Sequence, residues 1–291
     1  MKPAPFTYHR PTSRTELFDL LGSLDNARVL AGGQSLMPML NLRIAAPDHL
    51  IDLNAVAGLD GIELSNGILR IGAMTRQRAV ERSPVVARHL PLLGEAMRHV
   101  GFQQTRNRGT IGGTIAHMDP TAEIPVVALA ADATLVIESA RGERSIAFAD
   151  LSTGYLTTQV EPDEALVRID FPVWPERHGS AFEEVTRRGE SFAIVSVAVL
   201  VALDSAGRVA RAAIAVGGLV EAPLRAEAAE TALIGHSPDA GAIAAAAAAA
   251  ATLPAEGDIY APEDYKQHLA GVLTERALQR ALARAGDDRH V

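Results

Sequence analysis

The stretch RNRGTIGGTIAHMDPTAEIP, residues 106–125, decides how the rest of the chain is read. Thr110 and Thr114 flank a glycine pair, Gly112 and Gly113, and a His-Met-Asp-Pro turn leads into an apolar run. Glycine admits positive φ and lets another group approach the backbone, so something is expected to lie close to this segment. Pro120 and Pro125 bracket a turn and predict a helix opening at Pro125. An earlier stretch, AGGQS at residues 31–35, has the same make: a glycine pair followed by a hydroxyl. Each is expected to follow a strand. Successive amide N–H groups in such loops can point at an anion, with Ser35, Thr110 and Thr114 adding hydroxyl donors. Hydrogen bonds to a charged group contribute about 1.5–3 kcal/mol each, so a few hold a pyrophosphate firmly. One glycine pair reads equally well as a tight turn; two of the same design favour the anion.

The familiar phosphate signatures are absent. No Gly-x-Gly-x-x-Gly opens a helix and no Gly-Lys-Ser/Thr follows either loop, which disfavours a Rossmann site and a P-loop triphosphatase. A bound dinucleotide would therefore lie across loops. Asp119 and Glu123 would repel a phosphate, so they suit ribose hydroxyls; the alternatives are a turn cap before Pro120 for Asp119 and a solvated helix-start carboxylate for Glu123. His117 is either a general base or flavin attachment point, or a packing residue. No Gly-x-Ser-x-Gly elbow and no His-Glu-x-x-His metal spacing occurs, so no catalytic residue and no metal ligand is assigned.

At 291 residues the chain has room for two or three compact units with substantial cores. A formal charge of −8, with no basic stripe, argues against nucleic acid or an anionic membrane surface as the main partner. There is no cysteine, which excludes disulfides, thiol nucleophiles and cysteine-ligated iron–sulfur clusters on this chain. Without an apolar leader in MKPAPFTYHRP or a membrane-spanning run, a cytoplasmic, unprocessed protein is expected.

Along the chain, RVLAGG and HLIDLN read as short strands around the helical SLMPMLNLR, forming a first unit over residues 1–57. Residues 58–175 form a second. There GILRIGAM alternates as a strand, TRQRAVERS is an amphipathic helix with Thr75 as N-cap, and RHLPLLGEAMRHVG is a helix stopped by Gly101. Strands follow at TLVIES, RSIAFAD and ALVRIDFPVW. The segment PVWPERHGS is the best linker to a third unit, 178–291, in which SAFEEVTRR, FAIVSVAVLVAL and RVARAAIAVGGL form an antiparallel sheet and three helices follow. The alanine tract at GAIAAAAAAAATL is taken as an ordinary packed helix.

In that order, AGGQSLMPMLNLR, IGAMTRQRAV, RNRGTIGGTIAHMDPTAEIPVVALAADA, RRGESFAIVSVAV and the closing HLAGVLTERAL resemble the FAD-binding medium subunit of molybdenum hydroxylases. The resemblance spans essentially the whole chain. It implies an α+β protein: two α/β FAD-binding subdomains of the vanillyl-alcohol-oxidase-like (PCMH-type) fold plus a C-terminal α+β domain with an antiparallel sheet and helices. It also implies that Ala31, Gly32, Gly33, Gln34 and Ser35, with Thr110, Ile111, Gly112, Gly113 and Thr114, wrap the FAD pyrophosphate. Glu123 matches the ribose-contacting position and is one methylene longer than the family's Asp; Thr114 stands where relatives often carry Asn. Phe192 matches an aromatic that covers one face of the isoalloxazine ring, though as a strand residue it is equally a core candidate. Leu166 matches a ring-edge contact. Where relatives place a lysine near the flavin, the matching stretch FEEVTRR carries Glu183 and Glu184, which leaves the charge there open.

The implied role is electron transfer within a heteromeric oxidoreductase. A molybdenum-cofactor large subunit hydroxylates the substrate, a [2Fe–2S] small subunit passes electrons, and FAD on this chain hands them to an external acceptor, in a dimer of three-chain units. The absence of an acid–base set fits a protein that supplies orientation and electrostatics to a cofactor. Two other readings stand beside it, a stand-alone flavin oxidase of the same broad fold and a non-catalytic nucleotide-binding module.

Overall fold

The computed structural model describes residues 1–175, 178–189 and 191–286. The first unit is a three-stranded parallel sheet. Strands β1 (Thr7–His9) and β2 (Ala27–Leu30) flank β3 (His49–Asp52), with helix α1 (Arg14–Ser23) between β1 and β2 and helix α2 (Leu36–Asn41) between β2 and β3. Ser13 caps α1 by accepting from the Glu16 N–H, and Leu17, Phe18 and Leu21 bury one face of that helix. β1, three residues long, has no counterpart in the sequence reading because so short an edge strand carries no period.

The second unit is a five-stranded antiparallel sheet in the order β4 (Ile62–Ser65), β5 (Ile68–Gly72), β10 (Ala165–Pro172), β6 (Thr134–Ser139), β7 (Gly142–Ala147). A small hairpin, β8 (Ser152–Gly154) with β9 (Thr157–Thr158), leads into β10. Six short helices separate β5 from β6: α3 (Gln77–Arg82), α4 (Pro84–His89), α5 (Pro91–Ala96), α6 (Gln103–Arg108), α7 (Ile111–His117) and α8 (Glu123–Ala130).

Several details here differ from the sequence reading. Thr75 does not cap α3, whose N-cap is Arg76; the buried Thr75 hydroxyl instead donates to the Gly61 carbonyl and accepts the Gly61 N–H. The helix expected over RHLPLLGEAMRHVG is broken at Pro91, where α5 starts afresh. Helix α8 opens at Glu123 and not at Pro125, which sits inside the first turn where a missing N–H costs nothing. TIGGT follows helix α6, not a strand, and is itself the start of α7.

The third unit is a four-stranded antiparallel sheet, β11 (His178–Thr186), β12 (Ala193–Leu203), β13 (Val209–Gly217) and β14 (Leu224–Arg225), followed by α9 (Glu227–Leu233), α10 (Ala240–Ala250) and α11 (Glu263–Gly286). The linker segment PVWPERHGS bridges β10 and β11; its Glu176 and Arg177 lie outside the described residues. β12 is apolar without alternation because both its faces are covered. Val195, Val197, Val199 and Val201 face α9–α11, whereas Ala198, Leu200 and Ala202 join Phe182 in the core shared with the second unit. No helix of the described residues is long and apolar enough to cross a membrane.

Candidate functional site

The AGGQS loop leaves β2 and turns into α2. Gly33 adopts φ 72°, a left-handed conformation that glycine takes without strain. Gly32 is glycine for a different reason: a Cβ there would stand 2.7 Å from the Gly109 Cα and closer still to the Arg108 carbonyl. The two glycine loops therefore touch. They meet again at Gly113, where a Cβ would lie 3.5 Å from the Ala31 Cβ.

Among the described residues, the amide N–H groups of Gly32, Gly33, Gln34 and Ser35 have no acceptor within the protein. Gly32, Gly33 and Gln34 border an open cavity of about 410 Å³ whose walls include Met37, Asp52, Asn54 and Arg108, and Ser35 follows them into α2. Consecutive unpaired donors in a cavity that an arginine also lines suit an anion. Gln34 and Ser35 are exposed at the start of α2, so water or a bound anion can accept from their amides.

The second loop behaves differently. Ile111 donates to the Thr75 carbonyl at 3.1 Å, Gly112 to the Ala73 carbonyl at 2.8 Å, and Gly113 to the Thr110 hydroxyl at 3.0 Å. Thr114 donates its N–H back to the Thr110 carbonyl, and its hydroxyl accepts from the Gln77 side chain. The expectation that both loops present free amides holds for residues 32–35 alone. Gly112 is bare because α7 docks end-on against β5: a Cβ would fall 2.8 Å from the Ala73 carbonyl oxygen. TIGGT thus docks α7 on Ala73 and Thr75, with Thr110 as the helix N-cap.

Helix α7 ends at Met118, in the left-handed conformation at φ 52°. His117 is half-buried in its last turn. Asp119 is a turn cap, accepting from the Thr121 N–H at 2.9 Å and the Thr121 hydroxyl at 2.7 Å. The Pro120 carbonyl accepts the Gly218 N–H at 2.9 Å, which ties the end of α7 to the sheet of the third unit. Beside that junction, Ile194 and Phe192 line a second cavity of about 380 Å³ together with Arg187, Arg188, Ser191 and Tyr260. Phe192 precedes β12 and is 72% exposed, so it is not the core residue that a strand position would make it. Seven residues of α7, a rise of about 10 Å, separate the loop contact at Ala31 from this region.

Residues 4–174 match the family described as FAD binding domain in molybdopterin dehydrogenase, and residues 180–281 match the CO dehydrogenase flavoprotein C-terminal domain. The chain belongs to the FAD-binding medium subunits of molybdenum hydroxylases. It is 39% identical over 287 residues to the alpha subunit of the 6-hydroxypseudooxynicotine dehydrogenase complex of Paenarthrobacter nicotinovorans, covering 98% of this chain and 97% of that one. Among solved structures, carbon monoxide dehydrogenase from Hydrogenophaga pseudoflava superposes with a TM-score of 0.94 at 41% identity, covering 98% of this chain and 99% of that one. Quinoline 2-oxidoreductase from Pseudomonas putida 86 does so at 0.93 and 36% identity, covering 98% and 99%. As a member of this family the chain is an oxidoreductase flavoprotein that binds FAD, and its α+β fold is theirs.

Ser35 and residues 110–114 line neither cavity, nor do the expected site residues Leu166 and Glu123. Leu166 lies at the bulge where β10 shifts register on β6, is 6% exposed, and packs in the main core. Glu123, the first residue of α8, is 7% exposed; burial, with the nearby Asp119 charge adding to it, pushes its carboxyl up to about 7. Glu184 on β11 lies opposite Ser196 on β12, on the face turned toward α8. Its side chain is 3% exposed, and burial together with the Glu123 charge pushes it up to about 8. Glu184 Oε2 and Ser196 Oγ are both buried and unpartnered among the described residues. Glu183, its neighbour, pairs instead with Arg280 of α11. Nothing in the one-dimensional pattern FEEVTRR separates these two fates; the strand's alternation does, once its faces are known.

Proposed function

We propose that this subunit is the electron-delivering member of a three-component molybdenum hydroxylase. In this reading a [2Fe–2S] small subunit supplies electrons, a molybdenum-cofactor large subunit oxidises the substrate, and an external acceptor is reduced at this chain. The observation that carries the proposal is the row of unpaired amides Gly32–Ser35 at a cavity that Arg108 also lines, in a chain that aligns with medium subunits end to end. Those donors fit the diphosphate of FAD. Ala31 lines the cavity, Gly113 stands against Ala31, and Thr110, Ile111, Gly112 and Thr114 hold α7 in place. FAD supplies a carrier that accepts a pair of electrons and passes them on.

Phe192 is proposed as the residue that covers one face of the isoalloxazine ring. An exposed aromatic face at a cavity wall, with no ring stacked on it among the described residues, is a surface that a planar ligand can cover. Glu123 is proposed to meet the adenosine ribose from the α8 start, and Leu166 to back the ring from the core side. A chain without cysteine cannot itself ligate a cysteinyl cluster, so in this scheme the cluster sits on another polypeptide.

The substrate is chosen elsewhere in this scheme. The similar proteins are named for 6-hydroxypseudooxynicotine, carbon monoxide and quinoline, and the two of known structure share this fold. The test is to purify the complex from its natural host, identify the accompanying chains by mass, and follow flavin bleaching on substrate addition under anaerobic conditions. Bleaching in the complex but not in the separated subunit is expected. Bleaching by an organic substrate in the isolated chain would overturn the division of labour and favour a stand-alone oxidase.

A further inference from the structure

Arg76 and Arg108 stand side by side at the seam of the two glycine loops. Arg76 Nη1 donates to the Arg108 backbone carbonyl, and Arg76 Nη2 donates to Asn54 Oδ1. Asn54 Nδ2 in turn donates to the Ala31 carbonyl at 3.0 Å and to Asp52 Oδ1. The other Asp52 oxygen accepts from the Tyr8 hydroxyl. One continuous polar chain, Tyr8–Asp52–Asn54–Arg76, therefore fastens the first loop, through Ala31, to the residue that opens the second, Arg108.

Within this chain the Asp52 carboxylate stands against the Arg76 guanidinium, which leaves Arg108 as the surplus cation. Both Asp52 oxygens are engaged by Tyr8 and Asn54. Among the described residues neither Arg76 nor Arg108 has a carboxylate at ion-pair distance. Partial burial and the neighbouring Arg108 charge disfavour the charged form of Arg76, and the Asp52 and Asp60 carboxylates offset only part of this. The Arg108 charge lies close enough to disfavour that of Arg76, and Arg108 lines the cavity with Gly32, Gly33 and Gln34, whose amides have no acceptor among the described residues, so a doubly charged anion there meets a cation and free donors together.

We propose that Arg108 is a direct cationic clamp on the diphosphate and that Arg76 is the positioning residue that presents it, through the Arg108 carbonyl and Asn54. This rests on the reading of Gly32–Ser35 as the diphosphate cradle and adds what that reading lacks, a charged partner. Arg76 acts by geometry as well as charge. Its planar fork spans two acceptors at once, which an ammonium on a flexible stem does not reproduce.

The experiment measures binding to the full chain, in the assembly in which it is purified and after removal of the resident nucleotide. The probes are FAD, ADP and adenosine, and the variants are Arg108→Gln, Arg76→Gln and Arg76→Lys. Arg108 is exposed, so its variant is expected to fold, and circular dichroism with a thermal melt checks this for all three. Arg108→Gln is expected to weaken FAD and ADP by the same factor, tenfold or more at low salt, with adenosine unchanged and the gap narrowing as salt is raised. Arg76→Lys is expected to lose nearly as much as Arg76→Gln. Wild-type affinity for FAD and ADP in Arg108→Gln would overturn the clamp while leaving the FAD site intact. Full retention in Arg76→Lys, with loss in Arg76→Gln, would overturn the positioning role. A wild-type chain that binds neither FAD nor ADP would instead overturn the cradle reading beneath both.

Discussion

Replacing Glu184 by Gln should make the protein more stable at alkaline pH and flatten its stability profile. The carboxyl is sealed between β11 and α8, one oxygen has no partner, and Glu123 faces the same seam. The folded protein holds its proton up to about 8, against 4.5 for an ordinary glutamate. A carboxyl raised in this way is protonated in the native state while the unfolded chain has already released its proton. Stability is therefore undiminished below about pH 4.5 and falls as pH rises, until the native group ionises near 8. Taken whole, that rise corresponds to about 5 kcal/mol. Ionisation admits water to the seam and relieves part of it, leaving about 2–3 kcal/mol. At about 2.1 cal/mol/K per residue, this is a loss of roughly 4 °C in Tm across the window for a chain of this size. His99, held low by burial, pulls the other way below its own ordinary range, and its Nδ1 stands 4.0 Å from Glu184, so the slopes are compared above pH 6.5, where this histidine adds nothing in either protein. Carboxylates held low by ion pairs, such as Glu164 with Arg144, are fully ionised throughout this window and add a constant. The assay is differential scanning calorimetry of both proteins from pH 5.5 to 9. The variant should lose at least half of the wild-type slope. Parallel slopes would refute the buried-carboxyl account of the seam.

Other consequences follow from particular contacts. Gly112→Ala places a methyl against the Ala73 backbone, and a destabilisation of about 2–4 kcal/mol is expected in a thermal melt; an unchanged Tm would mean that α7 can slide off β5. Gly33→Ala forces a side chain into φ 72° and should cost about 1–2 kcal/mol while weakening FAD retention, measured by flavin content after gel filtration; full retention would show that the loop conformation is not required. Phe192→Ala removes an exposed ring, so Tm should stay within about 0.5 kcal/mol equivalents while flavin fluorescence or potential changes; no change in either would place the isoalloxazine elsewhere.

What the sequence disclosed, and what it withheld, divides along physical lines. AGGQS reads correctly as a strand-to-helix turn with donors to spare, because Gly33 needs its positive φ locally and α2 begins within three residues. TIGGT misleads, because two consecutive glycines argue against a helix while docking on Ala73 and Thr75 makes one anyway. The long apolar strand β12 and the helices α9–α11 are legible from pattern, since burial on both faces and alanine-rich composition each leave a mark. Arg108 went unsingled as the neighbour of the glycine motif. An arginine beside a loop has no signature until the loop is folded against another one. Glu184 and Ser196 are likewise ordinary in one dimension; only cross-strand register puts them opposite one another and under α8.

The central claim is that the open cavity over Gly32–Ser35 is the diphosphate end of an FAD site. Its most direct test is the absorption spectrum of the purified complex, followed by mass analysis of the nucleotide released on heating. One FAD per medium subunit, lost in step with the anion-site variants, is the predicted result. A folded, colourless chain that also declines added FAD in the presence of its partner subunits would contradict it.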